Sequence, residues 1–235
     1  MAPNDNRPDA VPVKDEADLV MFAQVISVSF SDDPLHRYVL MGSESHPGHP
    51  KLHTPGFQEE NWLATMRSRF EGGGLLLQSY NWAAVAVWLP PGIKKAAPRL
   101  PIPEGAVEYL DKFGQIKKQY LGDRLHWYLN LIARAPGRLD KGNYIHTLSR
   151  PNNFLMHLSF SGAIRTLIEP YVRKALEEGF PVYLEATSTH ARDIYIYFGF
   201  RVLEEVRIGE GIINAEGWVE QGGEGVLLWA MAAGL

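Results

Sequence analysis

Two ionisable side chains late in the chain stand where proton transfer could be arranged. Glu185 lies inside the apolar run Tyr183-Leu184-Glu185-Ala186, and Tyr195 opens the run Tyr195-Ile196-Tyr197-Phe198-Gly199-Phe200. A carboxylate buried in an apolar strand has its pKa raised by desolvation and becomes a usable general base, directly or through water. The competing reading of Glu185 is a strand-end glutamate that binds substrate or pairs with an arginine. A phenol with a pKa of about 10 can donate a proton to a strongly basic group. The competing reading of Tyr195 is a core tyrosine whose hydroxyl is satisfied. His126 could also act as a base, but a histidine at the start of a strand reads better as surface or structural. His46, His49 and His53 share a Gly/Pro-rich loop with Glu44. Metal ligation needs a fixed geometry that such a loop does not supply, so these are read as surface histidines and no metal is expected. The chain has no cysteine, which excludes disulfides, zinc–thiolate sites and thiol nucleophiles.

The composition must supply a scaffold for these groups. With 235 residues, 46% hydrophobic and 21% charged, the chain can bury a sizeable core, and one α/β domain over 11–235 after a disordered lead at 1–10 is expected. A formal charge of −4 argues against nucleic acid as the partner, because phosphate binding needs a basic face. The pairs Lys94-Lys95 and Lys117-Lys118 read as solvated surface. Residues 1–18 lack the apolar stretch of a secretory signal. No run approaches the roughly 20 apolar residues of a membrane span. A cytoplasmic monomer or homodimer without a membrane partner is the expectation.

The elements follow from the hydrophobic period. Val11 to Val13 suits a short edge strand. Asp18 reads as a helix cap before Leu19, Phe22, Ala23, Ile26 and Phe30, which recur at helical spacing up to a turn at Ser31-Asp32-Asp33-Pro34. Residues 41–55 read as loop, and 57–70 as a helix stopped by Gly72-Gly73-Gly74. The runs 75–78 and 83–89 suggest an antiparallel hairpin. A helix over 106–120 and a buried strand over 126–133 come next. Ile164, Leu167, Ile168, Tyr171, Val172, Ala175 and Leu176 mark one helix face. A strand at 182–186, a short helix at 191–198 and strands at 202–208 and 226–231 close the chain. The aromatics Trp62, Tyr80, Trp82, Trp88 and Tyr128 are candidates for a substrate pocket, although most would be core.

The run Val182 to Ser188, then His190-Ala191-Arg192 and Tyr195-x-x-x-Gly199-Phe200, resembles the second half of a GNAT (Gcn5-related N-acetyltransferase) domain. His126-Trp127-Tyr128-Leu129, leading through Ile132 to Pro136, resembles its central strand, and Ala83 to Trp88 the strand before it. The layout is closest to puromycin N-acetyltransferase and its fungal relatives. The resemblance implies a mixed α/β sheet of about six to seven strands, flanked by helices, whose central strands splay near Ile132. It implies acetyl-CoA as co-substrate, with Ile132, Ala133 and Arg134 along the pantetheine arm like an added strand. Lys141, Gly142, Ala163, Arg165 and Thr166 would lie at the phosphate loop and the helix N-terminus after it. His190 would cap the following short helix or touch pantetheine. Tyr195 matches the tyrosine whose phenol faces the cofactor sulfur, and related enzymes share a glutamate at the position of Glu185. The implied activity is acetyl transfer to a primary amine of a small molecule.

The phosphate loop departs from the family pattern. The motif Gln/Arg-x-x-Gly-x-Gly/Ala would begin at Leu139, where Gly142 takes the first glycine. An insert at 143–162 then precedes Ala163-Ile164-Arg165-Thr166, and Ile164 stands where Gly or Ala lets the backbone approach phosphate. Excising the insert joins Lys141-Gly142 to Ala163-Ile164. The insert is either a lineage-specific loop or a retained intron, since Gly142-Asn143 can be encoded with a donor-like GTAAY and Ser161-Gly162 with an acceptor-like CAG. The alternative function is therefore a non-catalytic GNAT-fold protein with impaired acetyl-CoA binding.

Overall fold

The computed structural model describes residues 10–95, 102–138 and 162–235. An edge strand, β1 (Val11–Pro12), leads into helix α1 (Glu16–Ser29). The helix starts ahead of the expected Asp18 cap because Asp15 is the cap. Asp15 Oδ1 accepts from the Asp18 N–H at 3.0 Å, and Asp18 Oδ2 accepts from the Lys14 N–H at 2.9 Å. Two helix-start donors are thereby satisfied reciprocally. Beyond the expected turn the chain forms another helix, α2 (Pro34–Met41), absent from the sequence reading. Asp33 Oδ1 caps it through the His36 N–H at 2.7 Å, and Pro34 supplies a preset φ in its first turn. The expected loop also holds a single helical turn, α3 (Pro50–His53), before α4 (Phe57–Glu71).

The remaining elements match the periodicity closely. They are the hairpin β2 (Leu75–Ser79) and β3 (Ala84–Leu89), α5 (Glu104–Leu121), β4 (Trp127–Arg134), α6 (Gly162–Glu177), β5 (Val182–Ala186), α7 (Thr189–Tyr197), β6 (Arg201–Ile208) and β7 (Val226–Ala233). They build a seven-stranded sheet in the order β1-β2-β3-β4-β5-β7-β6, with β4 and β5 the parallel neighbours and every other pair antiparallel.

Two irregularities of β4 shape the molecule. Val87 faces Leu131 while Trp88 faces Leu129, so Asn130 is an extra residue, a bulge that bends the strand. On its other edge β4 pairs with β5 only through Trp127, Tyr128 and Leu129. From Asn130 onward β4 keeps β3 and leaves β5.

Helices cover both faces of this sheet. On one, Phe22 and Ile26 of α1, Met66 of α4 and Phe113 of α5 pack over Val85, Val87, Tyr128, Tyr183 and Leu228. On the other, Leu167, Ile168 and Val172 of α6 and Tyr195 of α7 pack over Ala86, Trp88, Leu129, Leu184 and Met231. The turn between β2 and β3 is strained: Tyr80, Asn81 and Trp82 all have positive φ, at 50°, 51° and 65°. It also ties distant segments together. Arg138 donates to the carbonyls of Tyr80 and Asn81 at 3.3 and 3.1 Å, and Ser79 Oγ donates to the Ala163 carbonyl at 2.9 Å.

Candidate active site

Where β4 parts from β5, the sheet opens into a cleft of about 670 Å³. It is walled from both layers: Phe30, His36 and Trp62 on one side, Ile164, His190 and Tyr195 on the other, with residues 129–134 of β4 and Glu185 of β5 between. Backbone groups of β4 beyond Leu129 have no β5 partner, so a ligand with alternating donors and acceptors can dock there as a strand would.

Tyr195 reaches the cleft from α7, whose start is fixed by Ser188 Oγ accepting from the Ala191 N–H at 3.1 Å. Its ring meets Phe200 edge-on. Burial pushes its phenol well above the ordinary range, and the Glu185 charge adds to this. The hydroxyl therefore keeps its proton at any working pH. Ser188, rather than His190, caps this helix, and His190 faces the cleft.

Glu185 is the centre of a buried polar network. Its side chain is 4% exposed, with Lys117 Nζ 3.2 Å from Oε1 as an ion pair. Tyr128 donates to Oε2 at 2.5 Å. The Tyr128 oxygen accepts in turn from Lys95 Nζ at 3.2 Å and Asn130 Nδ2 at 3.4 Å, and Asn130 Oδ1 accepts from Arg69 Nε at 2.9 Å. Burial pulls the Lys95 ammonium down to about 8; Glu185 opposes this, while Lys117 and Arg69 reinforce it. Burial also raises the phenols of Tyr109 and Tyr128, with the Glu185 charge contributing. Lys117 thus pairs with the carboxylate directly, while Lys95 and Arg69 connect to it through Tyr128 and Asn130. This corrects the reading of both lysine pairs as solvated surface, because Lys95 and Lys117 turn inward.

Of the residues expected along the acetyl-CoA arm, Ile132, Ala133 and Arg134 line the cleft, and the splay begins two residues before Ile132. Arg134 donates to the Arg138 carbonyl at 2.8 Å, while its Nε is buried without a partner. The first turn of α6 contributes Ile164 to the wall. Ala163 is buried beneath the β2–β3 turn, and Thr166 Oγ1 donates to the Gly162 carbonyl at 2.9 Å, inside the helix. Arg165 points away from the cleft, held by Glu169 at 2.8 Å and the Tyr197 hydroxyl at 3.2 Å. Lys141 and Gly142 lie outside the described residues, as does the insert apart from Gly162.

Among the five candidate pocket aromatics, Trp62 lines the cleft. Trp88 faces α6 instead, stacked on Tyr171 and donating to the Leu167 carbonyl at 2.9 Å. Tyr80 and Trp82 belong to the strained turn. His126 hydrogen-bonds the Arg124 carbonyl at 3.0 Å, away from the cleft. His49 caps α3 and His53 binds the Pro47 carbonyl. The sequence reading missed Asp33 and His36, which face the cleft from the start of α2. Their signal was the Asp33-Pro34 pair, which opens helices as readily as turns.

No protein-family profile matches the chain. It is 27% identical over 211 residues to the uncharacterized protein YDR391C of Saccharomyces cerevisiae, covering 89% of this chain and 81% of that one. It is 26% identical over 190 residues to an uncharacterized N-acetyltransferase, C550.08, of Schizosaccharomyces pombe, covering 73% of this chain and 66% of the other. A crystal structure of histone acetyltransferase HPA2 and related acetyltransferase from Corynebacterium glutamicum superposes with a TM-score of 0.56 at 18% identity, over 96% of this chain and 95% of that one. Among the described residues no helix is long and apolar enough to cross a membrane.

Proposed function

We propose that this chain, which has the GNAT acetyltransferase fold, transfers an acetyl group from acetyl-CoA to a primary amine of a small molecule by direct attack. The observation that carries the reading is the cleft opened through the sheet after Leu129, with the Tyr195 phenol on its wall. The free edge of β4 at Ile132, Ala133 and Arg134 suits the pantetheine arm. His190 and Ile164 stand where the arm would pass towards α6. Tyr195 is then the acid that returns a proton to the thiolate as the C–S bond breaks. Glu185 accepts from Tyr128 through Oε2 and is ion-paired with Lys117 through Oε1, so it serves to hold those two side chains in place. The cleft lies between two helical layers, which favours a small acceptor over an extended peptide.

The test is a thiol-release assay with acetyl-CoA and a panel of primary amines. Wild-type chain should release thiol with at least one amine. Tyr195→Phe should lower kcat about 10²-fold or more with little change in acetyl-CoA affinity. Full activity in Tyr195→Phe would show the acid assignment to be wrong. A second reading, a GNAT-fold protein without turnover, is favoured by one observation: Arg165 is committed to Glu169 and Tyr197 rather than to the cleft. It predicts no heat of acetyl-CoA binding in titration calorimetry.

A further inference from the structure

We propose that His36 takes the proton from the acceptor's ammonium group, and that the Asp33 carboxylate holds that ammonium beside it. The proposal rests on the acetyl-transfer reading and assigns the base which that reading leaves open, since Glu185 accepts from Tyr128 through Oε2 and is ion-paired with Lys117 through Oε1, which has no hydrogen-bond partner.

The geometry has three parts. First, His36 and Asp33 line the same cleft as Tyr195 but from the opposite helical layer. Acetyl transfer passes through a tetrahedral carbon and uses a base beside the attacking amine and an acid beside the departing sulfur, and the two walls supply these as separate groups. Second, the His36 ring is fixed. It stacks on Trp62 with centroids 4.8 Å apart and planes 25° apart, and its Nε2 lies 3.1 Å from Gln58 Oε1. An amide oxygen accepts, so this contact assigns the hydrogen to Nε2 and the lone pair to Nδ1. Among the described residues nothing hydrogen-bonds Nδ1. Third, Asp33 is locked by its bond to the His36 N–H at 2.7 Å. The nearby Arg37 is spent on Asp32 at 2.9 Å and on the Trp218 ring at 4.3 Å.

The environment agrees with this role. Burial pushes the imidazole below its ordinary range, with Gln58 and the Asp33 charge opposing, so the ring is neutral at pH 7 and its lone pair is free to take a proton. Burial pushes the Asp33 carboxyl up, against the His36 N–H and the charges of His36 and Arg37. A substrate ammonium beside it would offset that burial.

The protons balance. The ammonium gives one proton to His36 Nδ1, which passes it to solvent, and the freed nitrogen forms its bond to the acetyl carbon. The C–S bond breaks, and the thiolate takes the Tyr195 proton. The second nitrogen proton leaves as the amide forms and restores the phenol.

The experiment is the pH dependence of kcat/KM for wild type, His36→Gln and Asp33→Asn, with thermal melting and acetyl-CoA calorimetry on each. Asparagine keeps the helix cap, so α2 should persist in the second variant. Wild type should lose activity along an acid limb that lies below the ordinary imidazole value of about 6.5, as the ring is protonated. His36→Gln should lower kcat/KM at pH 7 about 10²-fold or more, lose that acid limb and bind acetyl-CoA as wild type does. Asp33→Asn should raise KM for the amine more than it lowers kcat. An active wild type whose His36→Gln variant keeps both its rate and its acid limb overturns the proposal alone. A folded wild type that releases no thiol with any amine overturns the acetyl-transfer reading, and His36 with it.

Discussion

Lys95 is held where its positive charge works against folding. Its ammonium donates to Tyr128 and lies over the rings of Tyr109 and Tyr128 at 5.2 and 5.4 Å. Burial, with Lys117 and Arg69 nearby, still brings its pKa from 10.5 to about 8 against the pull of Glu185. Between those values the unfolded chain binds more protons than the folded one, so this side chain's contribution to stability rises with pH through that window. It is least favourable below pH 8. Melting temperatures of wild type and Lys95→Met at pH 7 and pH 9.5 check this: wild type minus variant should increase with pH, and a decrease would refute the assignment. The sequence hid this network because paired lysines read as surface. Lys117 alone carried a signal, following Ile116 and standing one helical turn after Phe113, both buried. Lys95 follows the Pro90-Pro91-Gly92 break, where no period remains to orient a side chain. Glu185 was visible because a carboxylate interrupted an apolar strand. Asn130 was not, since a bulge is set by pairing with β3 and leaves no local mark.

At the scale of elements, the β2–β3 turn gives a test of strain. Asn81 is exposed with φ at 51° between two other left-handed residues, a conformation that asparagine tolerates and β-branched residues do not. Asn81→Val should lower stability by about 1–2 kcal/mol in urea titration, whereas Asn81→Gly should stay near wild type. Equal stability of all three would mean that the turn relaxes at no cost. Elements of this kind divide by how local their causes are. α4, α5, α6 and the β2–β3 hairpin were legible because each repeats its period over several turns or across one short connection. α2 was not, because eight residues opened by proline offer barely two turns. The placing of β7 between β5 and β6 was equally hidden, since it depends on pairing between distant segments.

For the whole molecule, the question is how the segment 139–161 joins a fold that holds its two flanks together. Arg138 is anchored on the carbonyls of residues 80 and 81, and Ala163 on Ser79, so one turn grips both sides. Closing a loop between fixed ends costs about 0.6 kcal/mol per doubling of its length. Removing 143–162 should therefore change folding stability by only on the order of 1 kcal/mol. The deletion places Gly142 ahead of Ala163, and its carbonyl can accept from Thr166 as that of Gly162 does at 2.9 Å. The first turn of α6 is thereby kept. The shortened chain should melt cooperatively within a few degrees of wild type. If the insert displaces the phosphate loop, calorimetry should show acetyl-CoA binding at least about tenfold tighter than in wild type. Equal affinity would instead make 143–162 a genuine loop that the anion site tolerates, and sequencing of mature transcripts should then find its codons retained. Loss of cooperative melting would refute the excisable-insert picture, because it would mean that the segment itself holds α6 against β4.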